Sequence, residues 1–307
     1  MLGRFWFFIL TIFLTAVPLQ AAEESKPLRE EGKPLWEYGF GIGYARYAQY
    51  PGSDEYSELV LPFPTFQYRG TILRADDQEG GRAYLLKENK WSLEFSGGGR
   101  LPLDSSKSQA REGMENLPLV VEIGPQLIYS VDHSWEFKLA LFPSMAIYGS
   151  SIRQNGGLAS IEVQYRWHDE WGGVFESPLM LSGIFSLEAK TASQEFNATY
   201  FEVPLQNATA TRPAYSASAG FLENQISYFQ RLSSGKLTVY VGGSYSDFSN
   251  SANKQSPLLR ANSNFEYALG LTYVLGESAR RSVPIEDTEG LINRAMQKRN
   301  DHLKRFE

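Results

Sequence analysis

Residues suited to catalysis are few in this sequence and stand far apart. Its three histidines, the side chains that ordinarily titrate near neutral pH, are His133, His168 and His302. Neither a Gly-x-Ser-x-Gly nucleophile elbow nor a phosphate-binding glycine loop occurs. The pattern places His133 and His168 at turns and His302 in the C-terminal tail, where exposed side chains are expected rather than a base or metal ligands. Because cysteine is also absent, we predict a protein that is not an enzyme and carries no cofactor or metal.

In several segments apolar residues stand at every second position, and charged residues occupy some of the positions between them. Phe137 and Leu139 flank Lys138, and Phe265 and Tyr267 flank Glu266. If the apolar side faces lipid, the charged side faces an enclosed lumen, because Lys or Arg facing mid-membrane lipid would cost roughly 2–4 kcal/mol. The predicted lumen-facing residues are Glu94, Glu122, Glu136, Lys138, Glu162, Arg166 and Glu266. They either form internal ion pairs or, since glutamates outnumber cations, line a weakly cation-preferring channel.

The elements that carry these residues are predicted to be strands. The period-two stripe is clearest in 265–275 and recurs along most of the chain, including Leu59, Leu61 and Phe63 at the start of a second strand. Short turns near 69–70, 88–89, 132–133, 168–170 and 233–235 alternate with longer connections at 48–57, 102–117, 149–157, 189–214 and 249–262. Splitting 71–87 at 76–81 gives twelve strands. We predict an all-β, antiparallel, up-and-down transmembrane β-barrel of the bacterial outer membrane.

A soluble periplasmic binding barrel shows the same periodicity with its apolar side turned inward, so it stays open as an alternative. Long strands and abundant aromatic residues, 17 Tyr and 19 Phe, favour the membrane barrel. The net charge of −6 argues against nucleic acid as a partner.

The two ends of the chain are predicted to lie outside the barrel. Residues 1–21 have the charged start, apolar run and small-residue end of a signal peptide, and 22–35 are expected to form a flexible periplasmic leader. The barrel would then span 36–275, followed by a periplasmic tail at 276–307 with helical spacing at 291–296. Gly270, Tyr273 and Leu275 resemble the terminal-strand signal that the outer-membrane insertion machinery recognises.

Several short motifs follow one another in a characteristic order. They comprise Pro51, Gly52 and Ser53; Pro62 and Pro64; Tyr68, Arg69 and Gly70; Gly124 and Pro125; Tyr200 and Phe201, before a predicted ninth strand; and Ser256 and Pro257. In this order the chain resembles the MipA/OmpV family of outer-membrane proteins over about residues 36–275. It departs from the family at Glu202, where glycine is usual, and at Gln255, where aspartate is frequent.

The resemblance implies an outer-membrane barrel without catalytic residues, placed in outer-membrane lipid by the insertion machinery. It also implies a scaffold of the cell envelope that links a murein hydrolase, a lytic transglycosylase, to a peptidoglycan synthase. Other members are porin-like, so a small channel is the second hypothesis. A soluble binding barrel is the third.

Overall fold

Twelve antiparallel strands close into one barrel in the computed structural model, which describes residues 33–70, 73–76, 80–171 and 177–282. Each strand pairs with its neighbours in sequence, and the first pairs with the last. The strands are β1 Trp36–Ala48, β2 Tyr56–Arg69, β3 Leu73–Asp76, β4 Gly80–Lys87, β5 Trp91–Arg100, β6 Leu119–Ser130, β7 Trp135–Tyr148, β8 Ser151–Trp171, β9 Leu179–Ala192, β10 Gly220–Ser234, β11 Leu237–Asp247 and β12 Ser263–Glu277. The predicted fold class and strand number are confirmed.

Helical structure in the described residues is confined to the connections. The helix α1 spans Gln194–Phe201, and two 3₁₀ turns span Ser105–Lys107 and Leu205–Asn207. Within the described part of the chain, no helix has both the length and the apolar composition that a membrane crossing requires.

The barrel wall turns most of its large apolar side chains outward. In β7, Phe137 and Leu139 are 48% and 51% exposed, whereas Ala140 is buried. The same alternation exposes Phe40 and Ile42 in β1 and their counterparts in β12. An outward apolar face with a polar interior suits a lipid environment and is the opposite of a soluble binding barrel.

In β2 the outward and inward sides are the reverse of what the sequence stripe suggests. Phe63 lies opposite Gly41 and shares its inward side, whereas Val60 and Phe66 are 63% and 59% exposed. A Cβ on Gly41 would lie 2.6 Å from the Phe63 ring, so glycine leaves the room that this ring occupies inside the barrel. By alternation Leu59 and Leu61 share the inward side of Phe63, and Leu61 keeps 43% of its surface exposed there.

Three further predictions about the connections and the strand order are corrected. Residues 151–157 belong to β8, after a tight turn at Gly149. His168 lies within β8 opposite Ser182 rather than in a turn, because this strand continues to Trp171. Tyr200 and Phe201 precede the tenth strand, since β9 occupies the weakly patterned region before them.

The connections divide the barrel into two unlike ends. We call the end with the four long connections, at 49–55, 101–118, 193–219 and 248–262, the loop end. The other end, called the terminal end, has short turns and holds both ends of the described chain, where Pro34 bridges Arg281. The predicted signal peptide, most of the leader, residues 283–307 of the tail and His302 lie outside the described residues.

Candidate functional site: the loop cap and the lumen

The four long connections fold together at the loop end into a compact unit, which we call the loop cap. Its centre is an apolar cluster that combines residues of the connections with inward-facing residues of the wall. The connections contribute Tyr50, Leu103, Leu117, Phe196, Tyr200, Phe201, Val203, Ala217 and Leu258, and the strands contribute Val120, Ala140, Phe142, Leu158, Ala192 and Leu222. Because strand residues that point into the barrel belong to this cluster, the loop cap fills the mouth of the lumen.

The helix α1 delivers the largest rings of the loop cap. Ser193 caps its N-terminus, with its Oγ 3.3 Å from the backbone nitrogen of Phe196. The ring centroids of Phe196 and Tyr200 lie 5.3 Å apart, and Phe201 has no exposed surface. A capped helix of eight residues is too short to be stable alone, so its packing against the cluster holds it in place.

Hydrogen bonds join the connections of the loop cap to one another. Glu55 accepts from the Ser108 Oγ at 2.5 Å and from the Gln109 N–H at 3.0 Å. Asn197 and Asn253 both donate to the Ser218 carbonyl, at 2.8 Å and 2.9 Å. The loop cap is thus one unit rather than four independent loops.

Several motif residues of the resemblance lie in the loop cap. The Pro51, Gly52 and Ser53 turn docks on Asn264, whose Oδ1 accepts from the Gly52 N–H at 2.8 Å and whose Nδ2 donates to the Ser53 carbonyl at 2.7 Å. Gly52 has φ +73°, which favours glycine. The Ser256 hydroxyl donates to the Phe201 carbonyl at 2.6 Å, and Pro257 follows it in the same turn.

The remaining motif residues lie in the wall and at the terminal end. Pro62 and Pro64 lie on the outward side of β2, and Tyr68 is opposite Trp36 near the end of the strand. Gly124 and Pro125 lie in β6, where a Cβ on Gly124 would come within 2.0 Å of the Leu141 carbonyl. Because proline lacks an N–H, the β6–β7 pairing is interrupted there.

The terminal end is organised by Arg69. Its guanidinium donates to the Pro34 carbonyl at 2.9 Å, pairs with Glu37 at 2.9 Å and contacts Gln67. Gly70 accepts from the Arg74 Nε at 3.2 Å. The buried arginine therefore fastens the segment before β1 to the end of β2.

The described ends of the chain continue the β1–β12 pairing beyond the barrel. Trp36 and Ser278 exchange hydrogen bonds, and Ser282 donates its N–H to the Lys33 carbonyl at 2.8 Å. In β12, Tyr273 and Leu275 of the predicted insertion signal face outward, and Gly270 lies opposite Gly43 and Tyr240.

The predicted lumen residues lie on the inward side of their strands, in two groups. Near the terminal end, Glu136 pairs with Arg166 at 2.8 Å and with Lys138 at 3.8 Å. Glu94 is buried and accepts from the Ser92 hydroxyl at 2.9 Å. Glu162 lies opposite Lys138 across the β7–β8 pair.

A second group of charges lies directly beneath the loop cap. Arg100 pairs with Glu122 at 3.3 Å, and its guanidinium lies over the rings of Phe196 and Tyr200 at 5.3 Å and 5.5 Å. Glu266 accepts from the Ala48 N–H at 3.1 Å, where the first long connection begins. The predicted Glu122 and Glu266 thus contact groups at the base of the loop cap.

Sequence reasoning missed the central ion pairs of this group. Lys190 contacts Glu223 at 2.7 Å and Glu188 at 3.3 Å, and all three side chains are buried. The available signal was the alternation of Phe185, Leu187 and Ala189 with Ser186, Glu188 and Lys190.

Arg111 and Arg212 are further structural residues that the sequence pattern did not identify. Arg111 is buried and donates to the Tyr200 carbonyl at 3.3 Å. Arg212 donates to the Ala110 carbonyl at 2.9 Å and to the Glu112 carbonyl at 3.0 Å, which joins the 193–219 and 101–118 connections. Arginines that bind backbone carbonyls in loops carry no periodic signature.

Burial controls the ionisation of the loop cap. It raises the pKa of Tyr50 to about 12 and also raises the pKa of Tyr200 above its ordinary value. Burial lowers the pKa of the Arg111 guanidinium, although nearby Tyr50 opposes this shift. Both tyrosines therefore keep their protons at neutral pH and remain polar, uncharged side chains.

Charged and polar side chains line the lumen, but in the described ranges no three His, Asp or Glu residues converge as a metal site. His133 is exposed in the β6–β7 turn, and His168 is partly buried in β8. The chemistry that this arrangement supports is ion pairing and hydrogen bonding inside a capped barrel.

Comparison with known proteins identifies a family. The family model described as "MltA-interacting protein MipA" matches residues 39–275, which cover nearly the whole barrel. No curated protein matches the chain.

Solved structures that are similar share little sequence with this chain. A bacterial polysaccharide outer membrane secretin has 7% identity and a TM-score of 0.37, over 78% of this chain and 99% of that one. OccK8 (OprE) of Pseudomonas aeruginosa has 9% identity and a TM-score of 0.23, over 69% of this chain and 68% of that one. OccAB4 of Acinetobacter baumannii has 12% identity and a TM-score of 0.22, over 80% and 98%.

Proposed function

The chain belongs to the family of the MltA-interacting protein MipA, and from this premise we propose that it is a non-enzymatic scaffold in the bacterial outer membrane. The family match over 39–275 is the observation that carries the proposal. The outward apolar wall supports the membrane location, because such a wall is stable against lipid chains and unfavourable against water.

The orientation of the barrel follows from its two ends. Outer-membrane barrels have short periplasmic turns and longer extracellular connections. We therefore assign the terminal end to the periplasm and the loop cap to the cell exterior. The predicted signal peptide and the insertion signal at Gly270, Tyr273 and Leu275 fit export across the inner membrane and assembly into outer-membrane lipid.

The terminal end is the surface that we assign to a periplasmic partner. Glu277 and Arg281 form an ion pair at 3.6 Å that is about half exposed, and Asp132 and His133 are exposed in the β6–β7 turn. Residues 283–307 follow Ser282 in the sequence and include both acidic and basic side chains. We propose that this end and the tail bind a murein hydrolase, a peptidoglycan synthase, or both.

The loop cap argues against the channel hypothesis. Its apolar cluster occupies the mouth of the lumen, and ion pairs occupy the space beneath it. An ion-conducting pore requires a continuous wet path. The lumen charges are therefore proposed to satisfy one another rather than to select ions in transit.

A pull-down from detergent-solubilised membranes tests the scaffold. The full chain should retain a murein hydrolase or synthase, and a variant truncated after Ser282 should lose it while still migrating as a folded barrel on a gel. This truncation keeps the hydrogen bonds of Ser278 and Ser282. Arg260→Ala in the loop cap, where Arg260 forms an exposed pair with Asp54, is the matched control and should retain the partner.

Two results would contradict the scaffold. One is that the full chain retains no murein enzyme. The other is that partner binding is lost with the loop-cap variant and kept with the truncated chain.

A further inference from the structure

The barrel wall between β2 and β5 is joined by two short strands near the terminal end. β2 has 14 residues and β3 has four, and the two strands pair through Tyr68 and Arg69. β4 pairs with β5 only as far as Phe95. In the described part of the chain, 56–66 pairs with β1 and 96–100 pairs with β6, and no strand pairs with the other side of either segment. Toward the loop end the wall is therefore open between these two segments.

We call this opening the wall window, bounded by 56–66 and 96–100. The pairing of β3 with β4 closes it toward the terminal end. Toward the loop end, Glu55 precedes β2 and accepts hydrogen bonds from Ser108 and Gln109, which follow β5. The wall window is therefore closed above and below, and it opens sideways through the apolar wall.

The β2 border of the wall window is unsuited to pairing with another strand. Pro62 and Pro64 stand at alternate positions, so their missing N–H groups belong to the same side of β2. The β1–β2 pairing runs past both prolines without a break, whereas Pro125 interrupts the β6–β7 pairing. The missing N–H groups therefore lie on the window side, where proline opposes the addition of an extended peptide.

β2 is apolar on both of its sides along the wall window. Val60 and Phe66 face outward, and the inward side carries Leu59, Leu61 and Phe63. Leu61 keeps 43% of its surface exposed on that inward side, whereas the inward side of β7 carries charged side chains. Exposed apolar surface inside an otherwise polar lumen indicates a binding position for an apolar group.

The β5 border of the wall window has little side-chain bulk. Gly97, Gly98 and Gly99 follow one another there. A Cβ on Gly97 would lie 2.6 Å from the Glu122 carbonyl oxygen, so glycine allows β5 to lie close to β6. Because glycine has no side chain, this border leaves the wall window wide enough for a narrow apolar group.

We propose that the wall window admits one acyl chain of a lipid from the surrounding membrane. The acyl chain contacts Leu59, Leu61 and Phe63, and the lipid headgroup stays outside the wall. An acyl chain is narrow, apolar and without hydrogen-bonding groups, so it matches a border that is apolar and opposes strand pairing. The proposal rests on the membrane location proposed above, and it adds lateral binding of a lipid to the scaffold role.

Fluorescence quenching by lipid tests the wall window. The chain has no cysteine, so Leu61→Cys, Phe137→Cys and Lys138→Cys each carry one bimane label. In vesicles of phosphatidylcholine with brominated acyl chains, labels at 61 and 137 should be quenched at least twofold more than the label at 138. Position 138 is the matched control, because it faces the lumen from β7, which does not border the wall window. Migration on a detergent gel checks that each labelled variant is folded.

The outcomes separate the wall window from the membrane location. If the label at 137 is quenched and the label at 61 is quenched no more than the label at 138, the proposal is overturned. Quenching at 61 by aqueous iodide would then show that water fills the wall window instead. If the label at 137 is not quenched by the brominated chains, the membrane location itself is wrong.

Native mass spectrometry of the full chain, purified from membranes in mild detergent, detects the bound lipid directly. The wild-type chain should retain one phospholipid. Leu61→Gln should retain about fivefold less, because it loses the burial of a leucine side chain against the acyl chain. Val60→Gln, the neighbouring residue on the outward side, is the matched control and should retain as much lipid as the wild type. Absence of lipid from the folded wild-type chain, or equal loss in the two folded variants, contradicts the proposal.

Discussion

The two ends of the barrel are held together by different kinds of contact. At the loop end, an apolar cluster built around Phe196 and Phe201 fills the lumen mouth. At the terminal end, a buried arginine, Arg69, draws the N-terminal segment onto β2 through hydrogen bonds and an ion pair. One end is a small hydrophobic core and the other is a polar clasp.

The difference separates an end that is stabilised by apolar packing from an end that keeps charged groups on its surface. A packed core excludes water and resists opening, which suits a lid. A polar clasp at the terminal end, where both ends of the described chain lie, leaves charged groups on the surface, and this is the end that we propose for a partner. Variants that act on one end and spare the other can therefore test the comparison.

The largest effect is expected from Phe201→Ala in the loop cap. Phe201 is fully buried, and deleting such a ring costs about 3–5 kcal/mol because a cavity remains. Hydrogen exchange should rise in 193–219 and 248–262, while the β1–β12 pairing near Trp36 stays protected. Phe137→Ala on the outward face is the control and should leave the loop cap protected. Equal loosening at both ends would show that the two ends are not independent.

Arg69→Met breaks the clasp at the terminal end. Hydrogen bonds to charged groups contribute roughly 1.5–3 kcal/mol each, and the change leaves Glu37 without its ion pair. Proteolysis should then reach the segment near Pro34, with no change in exchange at helix α1. Arg260→Met removes an exposed pair and should have little effect on either end.

Ser256→Ala tests whether a hydrogen bond or the apolar cluster contributes more to the stability of the loop cap. It removes the hydroxyl that donates to the Phe201 carbonyl at 2.6 Å and leaves that buried oxygen unsatisfied, at a cost of about 1–3 kcal/mol. The expected result is faster exchange at 248–262, smaller than for Phe201→Ala. An effect larger than that of Phe201→Ala would contradict the view that the apolar cluster dominates the loop cap.

The smallest effect is expected from Glu55, whose carboxylate makes the stability of the loop cap depend on pH in acid. Burial alone would raise the pKa of Glu55, but hydrogen bonds from Ser108, Gln109 and Ala110 outweigh it and lower the pKa. A lowered folded pKa means that Glu55 stabilises the loop cap above its ordinary pKa of 4.5 and loses this contribution as pH falls through the lowered value. Pepsin cleavage of the loop cap should therefore accelerate in strong acid.

Glu55→Gln should remove that acceleration. The control is Asp132→Asn at the terminal end, where backbone N–H groups of Trp135 and Ser134 lower the pKa of the carboxyl. It should leave the acid response of the loop cap intact. If Glu55→Gln keeps the full acid response, the Glu55 contact does not contribute to the loop cap.

The barrel was predictable from sequence because its strands have two different environments. In β7 and β12 the outward side is apolar and the inward side is mostly small or polar, so the period-two pattern predicts both the strand and the side that each residue faces. In β2 the pattern fails to give the facing, because prolines hold outward positions and Phe63 fills space beside Gly41 on the inside.

The loop cap was not predictable, because its core has no period. Tyr50, Phe201 and Leu258 come from three connections, and their contact depends on barrel closure. The Pro51, Gly52 and Ser53 motif and the Ser256 motif were visible as residues, but their shared role requires the fold. The ion pairs of Lys190 were missed because β9 has a weak apolar stripe.

The outward facing of the apolar wall can be tested directly by spin labelling in lipid bilayers. The chain has no cysteine, so single substitutions at four successive β7 positions, Glu136→Cys, Phe137→Cys, Lys138→Cys and Leu139→Cys, each carry one label. We expect labels at 137 and 139 to collide with dissolved oxygen and labels at 136 and 138 to be shielded from it. If the labels at 137 and 139 instead collide with a water-soluble nickel chelate and not with oxygen in the lipid, the account of a lipid-facing wall is contradicted.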